Sequence, residues 1–528
     1  MSEQLSSVEV TSPPGKTTGA WSIWFRRLET ADTKVVCVAI FVFAFGVLFL
    51  WRLFLQLEAG DAAIWDYVAQ GILRGEVPYR DVIEIKCPGS AYLSAFAMWL
   101  GRFAGLRDVM SVRFMQMALT ALLTVVTFLV AESFLRERKV ALIASLLPLT
   151  SDHFVSWAEG GTQPKLTMIL FGMLTLLLIA NDRPFSAGIF SILSFLCWQP
   201  GLLFTGVAIL VFSRYLTSWR DWRALKVLAG AAVPLAVAGM YFYSAGALGD
   251  LWTWTIAYNF AVYAPDGLRS PAETLNHVWA VLNRVFKTDI VWFLLGLVGL
   301  CLYSVARVVR GLRLKLGIKA PDSLVDALLM SALVYIAFCL VNLQSGPDLI
   351  PLFPFFAVFV GWLIAESARR LSSIRPATKS PSLGREVVAL PAVALLLVVV
   401  VTVVRAATYR LEEWSLGYQD SQLEVLSELV GPDDKLYVHG AVEILLLLNR
   451  PNLNPYIMWD HGKAKYVAAQ KYGGSIDNMV GAIEAEHPKV VVVARLRHVP
   501  EGVALEKWIE EHYQKLQITG YDAYLRKQ

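Results

Sequence analysis

Charged residues are scarce in this sequence. Asp, Glu, Lys and Arg make up only 17% of its 528 residues, whereas 56% are hydrophobic. A soluble globular protein needs more polar surface than that, so the composition predicts a polytopic helical membrane protein. The net charge of +4 is small, and no basic patch is interleaved with aromatic residues, so nothing indicates a nucleic-acid partner.

Cysteine pairs, internal repeats and an acidic DxD motif are missing as well. The five cysteines include no CxxC spacing, so the sequence predicts neither a disulfide framework nor a zinc site. No segment repeats, whereas many secondary transporters are built from paired halves. Because residues 58–88 contain no DxD sequence, a divalent cation is compatible with the chain but not indicated by it.

What the sequence does contain is a series of apolar runs long enough to cross a bilayer. They lie at about 35–57, 111–134, 139–157, 164–181, 224–246, 288–310, 324–342, 348–366 and 387–404. The run at 184–215 is too long for one straight span, and Pro200 and Gly201 in its middle predict two short helices that meet at a tip. Residues 89–105 and 139–157 are the ambiguous crossings.

These runs predict an all-α polytopic membrane domain over residues 35–404, with about 11–13 transmembrane helices. Residues 1–34 are polar and too long for the start of a cleaved signal peptide, and basic residues flank the first run. We therefore expect 1–34 to be a cytoplasmic tail. The positive-inside rule then places the loops 58–88 and 247–287 on the extracytoplasmic side.

The tail 405–528 is charged and has no run long enough to span a bilayer. Its pattern alternates amphipathic helices with short β-branched strands, and "YDAYLR" near the end reads as a last strand. We expect a small α/β domain outside the membrane, on the extracytoplasmic side.

The first of the two extracytoplasmic loops, residues 58–88, contains a dense cluster of charged residues. In "PYRDVIEIKCPGSAYL" the charged residues are Arg80, Asp81, Glu84 and Lys86. One interpretation is a set of solvated charges in weak surface pairs. The other is that cations at the lipid boundary hold a lipid phosphate through charge-assisted hydrogen bonds.

The same loop begins with a predicted amphipathic helix over 61–74, which we expect to lie in the membrane interface. Asp61 stands near its start. The spacing allows Asp61 to cap the helix, or to act as a base at the membrane surface, and does not separate these two roles.

Polar and aromatic residues elsewhere in the chain are further candidates for a site. Glu159, Gln163 and Lys165 form either a solvated turn or a second wall of the same site. Further along, "WTWTIAYNFAVYAP" is rich in aromatic residues typical of interface anchors, of which Tyr258, Asn259 and Tyr263 are candidates for contacting a sugar or lipid. His277 is expected to be structural, and Asp348 is a candidate helix cap.

The stretch "GDAAIWDYVAQGILRGEVPYRDVIEIKCPGSAYL" resembles the first outer loop of the GT-C membrane glycosyltransferases. The protein O-mannosyltransferase and aminoarabinose-transferase branches are the nearest likeness. That loop has an acid after the first span, a "Y..A" helix, and a K-P-P or H-P-P element, which here reads Lys86-Cys87-Pro88. Weaker likenesses are "SAGIFSILSFLCWQPGLL", with Gln199 where the family often has a tip lysine, and "GPDLIPLFPFFAVFVGWLI".

The resemblance implies that Asp61 is the catalytic base, with Asp66 and Glu84 as alternative acids. Such a base deprotonates an acceptor hydroxyl or amine, which attacks the anomeric carbon of a polyprenyl-phosphate sugar. Lys86 and Arg80 would bind the leaving phosphate.

The resemblance implies one further cation, because Gln199 stands where the family often has a lysine. If a lysine there binds phosphate in the family, Lys165 is the candidate that takes over this role here.

The resemblance implies a hexosyl- or pentosyltransferase that uses a polyprenyl-phosphate-linked donor and an extracytoplasmic lipid, glycan or protein acceptor. It places the chain in the cell membrane, which we expect to be a bacterial cytoplasmic membrane. Alternatives are a transporter or flippase of a lipid-linked saccharide, and a non-catalytic GT-C-like protein. The nearly charge-free span centres favour chemistry at the surface over transport.

Overall fold

Helices make up most of the chain, and the computed structural model describes residues 29–214, 222–262, 270–285, 290–313, 323–373, 382–411, 415–431, 434–457, 466, 476–494, 500–518 and 520–527. The helices before residue 215 are α1 (Thr33–Trp51), α2 (Gly60–Arg74), α3 (Gly89–Phe103), α4 (Asp108–Leu135), α5 (Arg138–Leu146), α6 (Asp152–Glu159), α7 (Pro164–Ala180), α8 (Pro184–Cys197) and α9 (Leu202–Arg214). Those that follow, up to residue 411, are α10 (Arg223–Ser244), α11 (Leu248–Trp252), α12 (Tyr258–Val262), α13 (Pro271–Val285), α14 (Ile290–Arg313), α15 (Ser323–Asn342), α16 (Leu352–Ser373) and α17 (Ser382–Thr408).

Seven of the described helices are long and apolar enough to cross a bilayer, namely α1, α4, α10, α14, α15, α16 and α17. The pair α5 and α6 is an eighth if it is one broken span, and three shorter apolar helices cover Pro164–Ala180, Pro184–Cys197 and Gln199–Ser213. The prediction of an all-α polytopic membrane domain is confirmed. The ambiguous segment 89–105 forms α3, which is not among the described helices of spanning length and composition.

The run at 139–157, one of the two ambiguous crossings, is broken. A 3₁₀ segment, Leu147–Thr150, ends α5, and Pro148 there has no amide hydrogen to continue the helix. Ser151 then starts α6, because its side chain accepts a hydrogen bond from the Phe154 amide at 3.3 Å. The two helices meet at 73°.

The predicted tip between two short helices is confirmed at Gln199–Gly201, a 3₁₀ turn that separates α8 from α9. Gly201 is required there because a Cβ on it would lie only 2.4 Å from the backbone carbon of Ser194. The two helices therefore approach each other backbone to backbone.

Helix α2 differs from the expected interfacial helix. Its residues Ala63–Gly71 are buried, because α3 packs on one side and the C-terminal domain on another. The residue before the helix, Ala59, makes no side-chain cap, and Asp61 lies inside the first turn. Of the two roles that the spacing allowed for Asp61, the helix cap is therefore not formed.

The C-terminal domain is the predicted small α/β unit. Its elements are α18 (Leu416–Leu429), β1 (Leu436–His439), α19 (Val442–Leu448), α20 (Ile476–Glu486), β2 (Val490–Val493), α21 (Pro500–His512), β3 (Tyr513–Lys515) and β4 (Ala523–Arg526). The strands form one sheet in the order β1-β2-β4-β3, with β1 and β2 parallel and the other pairs antiparallel. "YDAYLR" does contain the last strand, β4.

The C-terminal domain is held on the first loop by polar contacts. The backbone amide of Asn452 donates to the Tyr67 hydroxyl at 2.9 Å, and Gln70 Nε2 donates to the Leu446 carbonyl at 3.2 Å. Tyr67 and Gln70 lie in the middle of α2, so the domain covers this helix.

Candidate active site

A cavity of about 470 Å³ lies where the first loop, the turn 160–165 and the segment after α17 meet. Asp61 and Trp65 of α2 form one wall, and the turn forms another. Tyr409 and Leu411, just after the last span, also line the cavity. Three distant parts of the chain therefore build it.

Asp61 faces this cavity. Its side chain is exposed, and it belongs to the first turn of α2, where the helix dipole favours a negative charge. An exposed carboxylate on a helix beside a cavity is accessible to a molecule that enters the cavity.

Lys165 also lines the cavity and is already engaged. Its Nζ lies 2.8 Å from Asp348 Oδ1, with both side chains buried, and 5.1 Å from the ring centre of Trp198. The same Asp348 accepts hydrogen bonds from the amides of Gln344 and Ser345 in a capping box, so the expected cap is confirmed. An ammonium group has three donors, so this pair leaves Lys165 capacity for a further anion.

Lys86 is the second cation of this region. Burial lowers its pKa, and the positive charge of Lys165 lowers it further, while Glu84, Asp61 and Asp348 oppose the shift. Lys86 therefore lies within electrostatic range of both Asp61 and Lys165. Two lysines close enough to repel each other form an attractive site for an anion.

Asp66 holds the first loop against the turn. Its Oδ1 accepts hydrogen bonds from the amide of Thr162, at 3.2 Å, and from the hydroxyl of the same residue. That hydroxyl also contacts Ser94 Oγ at 2.5 Å. Gln163, the next residue of the turn, lines the cavity too.

A fully buried ion pair lies behind the cavity. Arg113 donates to Glu58 at 2.6 Å, and also to the carbonyls of Phe54 and Gln56 at 2.9 and 2.6 Å. Glu159 is buried beside this group, near the amides that follow α1, and its two oxygens make no hydrogen bond of good geometry. Glu159 does not line the cavity.

The remaining charges of the opening cluster have local partners. Arg80 forms a two-point ion pair with Asp81 and donates to the carbonyl of Ala245 at 2.7 Å. The arginine holds the pKa of Asp81 below its usual range. Glu84 accepts from the amides of Ile85 and Lys86. None of Arg80, Asp81 and Glu84 lines the cavity.

Gln199 and Asn259 converge on the same carbonyl group. Gln199 Nε2 donates to the Ile85 carbonyl at 2.8 Å, and Asn259 Nδ2 donates to it at 2.9 Å. Both side chains therefore fix the backbone next to Lys86. Tyr258 is buried against Trp254, whereas Tyr263 lies outside the described residues.

Sequence reasoning missed several residues of this region, chiefly Glu58, Arg113, Trp157 and Tyr409. Arg113 had a usable signal, because it is the one arginine within the apolar run 111–134. Trp157 and Tyr409 had none, since they lie far apart in sequence and meet only in the cavity.

A metal site is not formed by the side chains in the described ranges, where no group of three or more His, Cys, Asp or Glu is placed to hold an ion. His277 lies elsewhere and contacts the Leu343 carbonyl at 2.8 Å through Nε2.

Comparison with known proteins identifies the fold. No family model and no curated protein matches the sequence. Crystal structures of ArnT from Cupriavidus metallidurans, bound to undecaprenyl phosphate or in the apo state, match with TM-scores of 0.59 and 0.61 at 13% identity, over 94% and 93% of this chain and 98% of theirs. The oligosaccharyltransferase of Archaeoglobus fulgidus in the apo form matches with a TM-score of 0.51 at 13% identity, over 93% of this chain and 74% of that one. The chain thus has the fold of the GT-C membrane glycosyltransferases, as its first-loop motif indicated.

Proposed function

We propose that the protein is a glycosyltransferase that takes a sugar from a polyprenyl-phosphate donor and transfers it to an acceptor on the extracytoplasmic side of a bacterial cytoplasmic membrane. The observation that carries the proposal is the cavity in which the exposed Asp61 and the lysine Lys165 share one space. The ArnT structure that binds undecaprenyl phosphate has the same fold and supports a lipid phosphate as the donor group.

The proposed reaction uses Asp61 and Lys165, which line the cavity, and Lys86, which does not line it but lies within electrostatic range of both. Asp61 accepts the proton of an acceptor hydroxyl or amine, whose oxygen or nitrogen forms a bond to the anomeric carbon. The bond from that carbon to the phosphate oxygen breaks, and polyprenyl phosphate leaves with the electron pair. Lys165 and Lys86 stabilise the negative charge that develops on the leaving phosphate.

Aromatic side chains of the cavity are proposed to bind the sugar. Trp65, Trp157 and Tyr409 line the cavity, and their ring faces can cover the apolar face of a sugar ring. An assay with a panel of donors that differ in their sugar identifies which sugar the cavity accepts.

The test replaces Asp61 with Asn, which keeps the size of the side chain and removes its basicity. Purified protein in lipid nanodiscs is given polyprenyl-phosphate sugars, and release of polyprenyl phosphate is followed by mass spectrometry. We expect the rate to fall about 100-fold or more, the usual contribution of a general base.

Glu428→Gln is the matched control, since Glu428 is an exposed acid of α18 that lies away from the cavity. The variant is expected to keep the parent rate. An Asp61→Asn protein that folds and still transfers sugar at the parent rate contradicts the assignment of the base.

A further inference from the structure

Two buried carboxyl groups point at one spot beside the cavity. Glu58 and Asp66 are both fully buried, and Glu58 Oε1 and Asp66 Oδ2 have no hydrogen-bond partner. A Cβ built on Gly161 would lie 2.9 Å from that oxygen of Asp66 and 3.4 Å from that of Glu58. The two free oxygens therefore converge on the backbone of the turn that lines the cavity.

The charges around this spot do not balance if every acid is ionised. Glu58, Asp66 and Glu159 are three buried carboxyls, whereas Arg113 is the guanidinium that acts on all of them. Lys165, which lines the same cavity, is paired with Asp348. Isolated buried charges are costly, and a buried acid in this situation usually stays protonated.

The position of the proton follows from the partners of each acid. Arg113 contacts Glu58 Oε2 and stabilises a negative charge on Glu58. Asp66 has only the hydrogen bonds from Thr162, both to Oδ1. Burial raises the pKa of Asp66 well above its ordinary value, and the charge of Glu58 raises it further.

We infer that Asp66 is a protonated positioning residue rather than a base. Its Oδ2 carries a hydrogen that it shares with Glu58 Oε1, while its Oδ1 holds the turn at Thr162. The pair thereby fixes the distance between the wall that carries Asp61 and the wall that carries Lys165. The protonation of Asp66 can be true whether or not the protein transfers sugar, whereas its positioning role rests on the proposed transferase function.

The assignment makes an asymmetric prediction for two variants. In Asp66→Asn, the amide nitrogen takes the place of the protonated oxygen and donates to Glu58, and the amide oxygen still accepts from Thr162. Asp66→Ala removes both contacts and leaves Glu58 Oε1 unpartnered. We expect Asp66→Asn to keep the transfer rate within about threefold and Asp66→Ala to lose about tenfold or more. The reason is that a buried polar group left without a partner costs far more free energy than one hydrogen bond replaced by another.

The measurement that needs no activity is infrared difference spectroscopy of the full-length protein in nanodiscs. The C=O stretch of buried protonated carboxyl groups is expected in the parent protein, and Asp66→Asn should lose the part of this band that Asp66 contributes. A part from Glu159 should remain, because Glu159 is also buried and burial also raises its pKa. Asp81→Asn is the matched control, because Arg80 keeps Asp81 ionised and its loss should leave the band unchanged.

Thermal unfolding across pH gives the second readout. An acid whose pKa is raised by folding stabilises the fold at low pH, and this stability is lost as pH rises through the folded pKa. The melting temperature of the parent protein should therefore fall relative to that of Asp66→Asn as pH rises from about 4, the ordinary pKa of an aspartic acid, through the raised folded pKa.

Two results overturn the inference. One is a protonated-carboxyl band that has the same shape and intensity in Asp66→Asn as in the parent protein. The other is a folded Asp66→Asn protein that is as inactive as Asp61→Asn, because Asp66 would then act ionised. If the parent protein transfers no sugar at all, the infrared and unfolding data still decide where the proton lies.

Discussion

Asp61 and Asp66 lie on one helix but in opposite environments. In an α-helix, residues five apart differ by about 140° in direction, so they cannot share a face. Asp61 is exposed to the cavity, whereas Asp66 is fully buried against Thr162. Burial raises the pKa of Asp66 and favours its protonated form, whereas Asp61 is accessible to a molecule in the cavity. The environment therefore separates the roles of two chemically identical side chains.

Lys86 gives a prediction about pH at this scale. Because burial and Lys165 lower its pKa, Lys86 loses its proton at a lower pH than an ordinary lysine. Affinity for polyprenyl phosphate should therefore fall as pH rises through that lowered pKa. In Lys86→Arg the fall should move to higher pH, since a guanidinium stays protonated.

Competition binding of undecaprenyl phosphate in nanodiscs, measured across pH, checks this. Lys435→Arg is the control, because Lys435 is exposed on the C-terminal domain and pairs with Glu486. Identical pH profiles for the parent and Lys86→Arg would show that Lys86 does not hold the phosphate.

At the scale of helices, backbone contact sets the shape of the membrane domain. Helices α8 and α10 pack through glycines, and a Cβ on Gly188 would lie 2.0 Å from the Val227 carbonyl oxygen. Gly230 has the same relation to the Phe185 carbonyl oxygen. Small residues allow this approach where no hydrophobic effect drives helices together in lipid.

Gly188→Ala should therefore separate α8 from α10 and destabilise the fold by about 1–3 kcal/mol, the usual cost of overpacking. Gly239→Ala on α10 is the matched control, because nothing lies within 4 Å of its added Cβ. Melting temperatures of the two variants in the same detergent test this. Equal melting temperatures would mean that α8 and α10 do not pack as described.

The helices show what the sequence can predict. The tip at Gln199–Gly201 was predictable because Pro200 and Gly201 act locally on the backbone. The burial of α2 was not, because its amphipathic pattern fits a lipid surface as well as a protein surface. The covering domain begins more than 300 residues later in the chain, and only tertiary contacts reveal it.

At the scale of the whole molecule, the C-terminal domain and the membrane domain share the first loop. Gln419 of α18 binds the backbone of Glu58 twice, accepting from its amide and donating to its carbonyl, each at 2.8 Å. The domain thus holds the loop from one side, while the turn 160–165 holds it from the other. These contacts on both sides of the loop shape the cavity. A predicted fold class alone could not have shown them.

The opposite end of the membrane domain carries a second cavity, of about 620 Å³, lined by charges that include Glu132, Arg136 and Arg369. Helix α4 links the two regions, with Arg113 near its start and Glu132 near its end. Basic side chains therefore line two cavities, and the proposed function requires polyprenyl phosphate to bind in the one beside Asp61.

The most direct test is a cryo-EM structure of the protein in nanodiscs with undecaprenyl phosphate. The proposed function predicts the phosphate in the 470 Å³ cavity, with its oxygens at about 2.7–3.2 Å from the Nζ of Lys165 or Lys86 and Asp61 facing it. Phosphate bound only in the cavity near Arg136, with the space beside Asp61 left empty, would contradict the proposal.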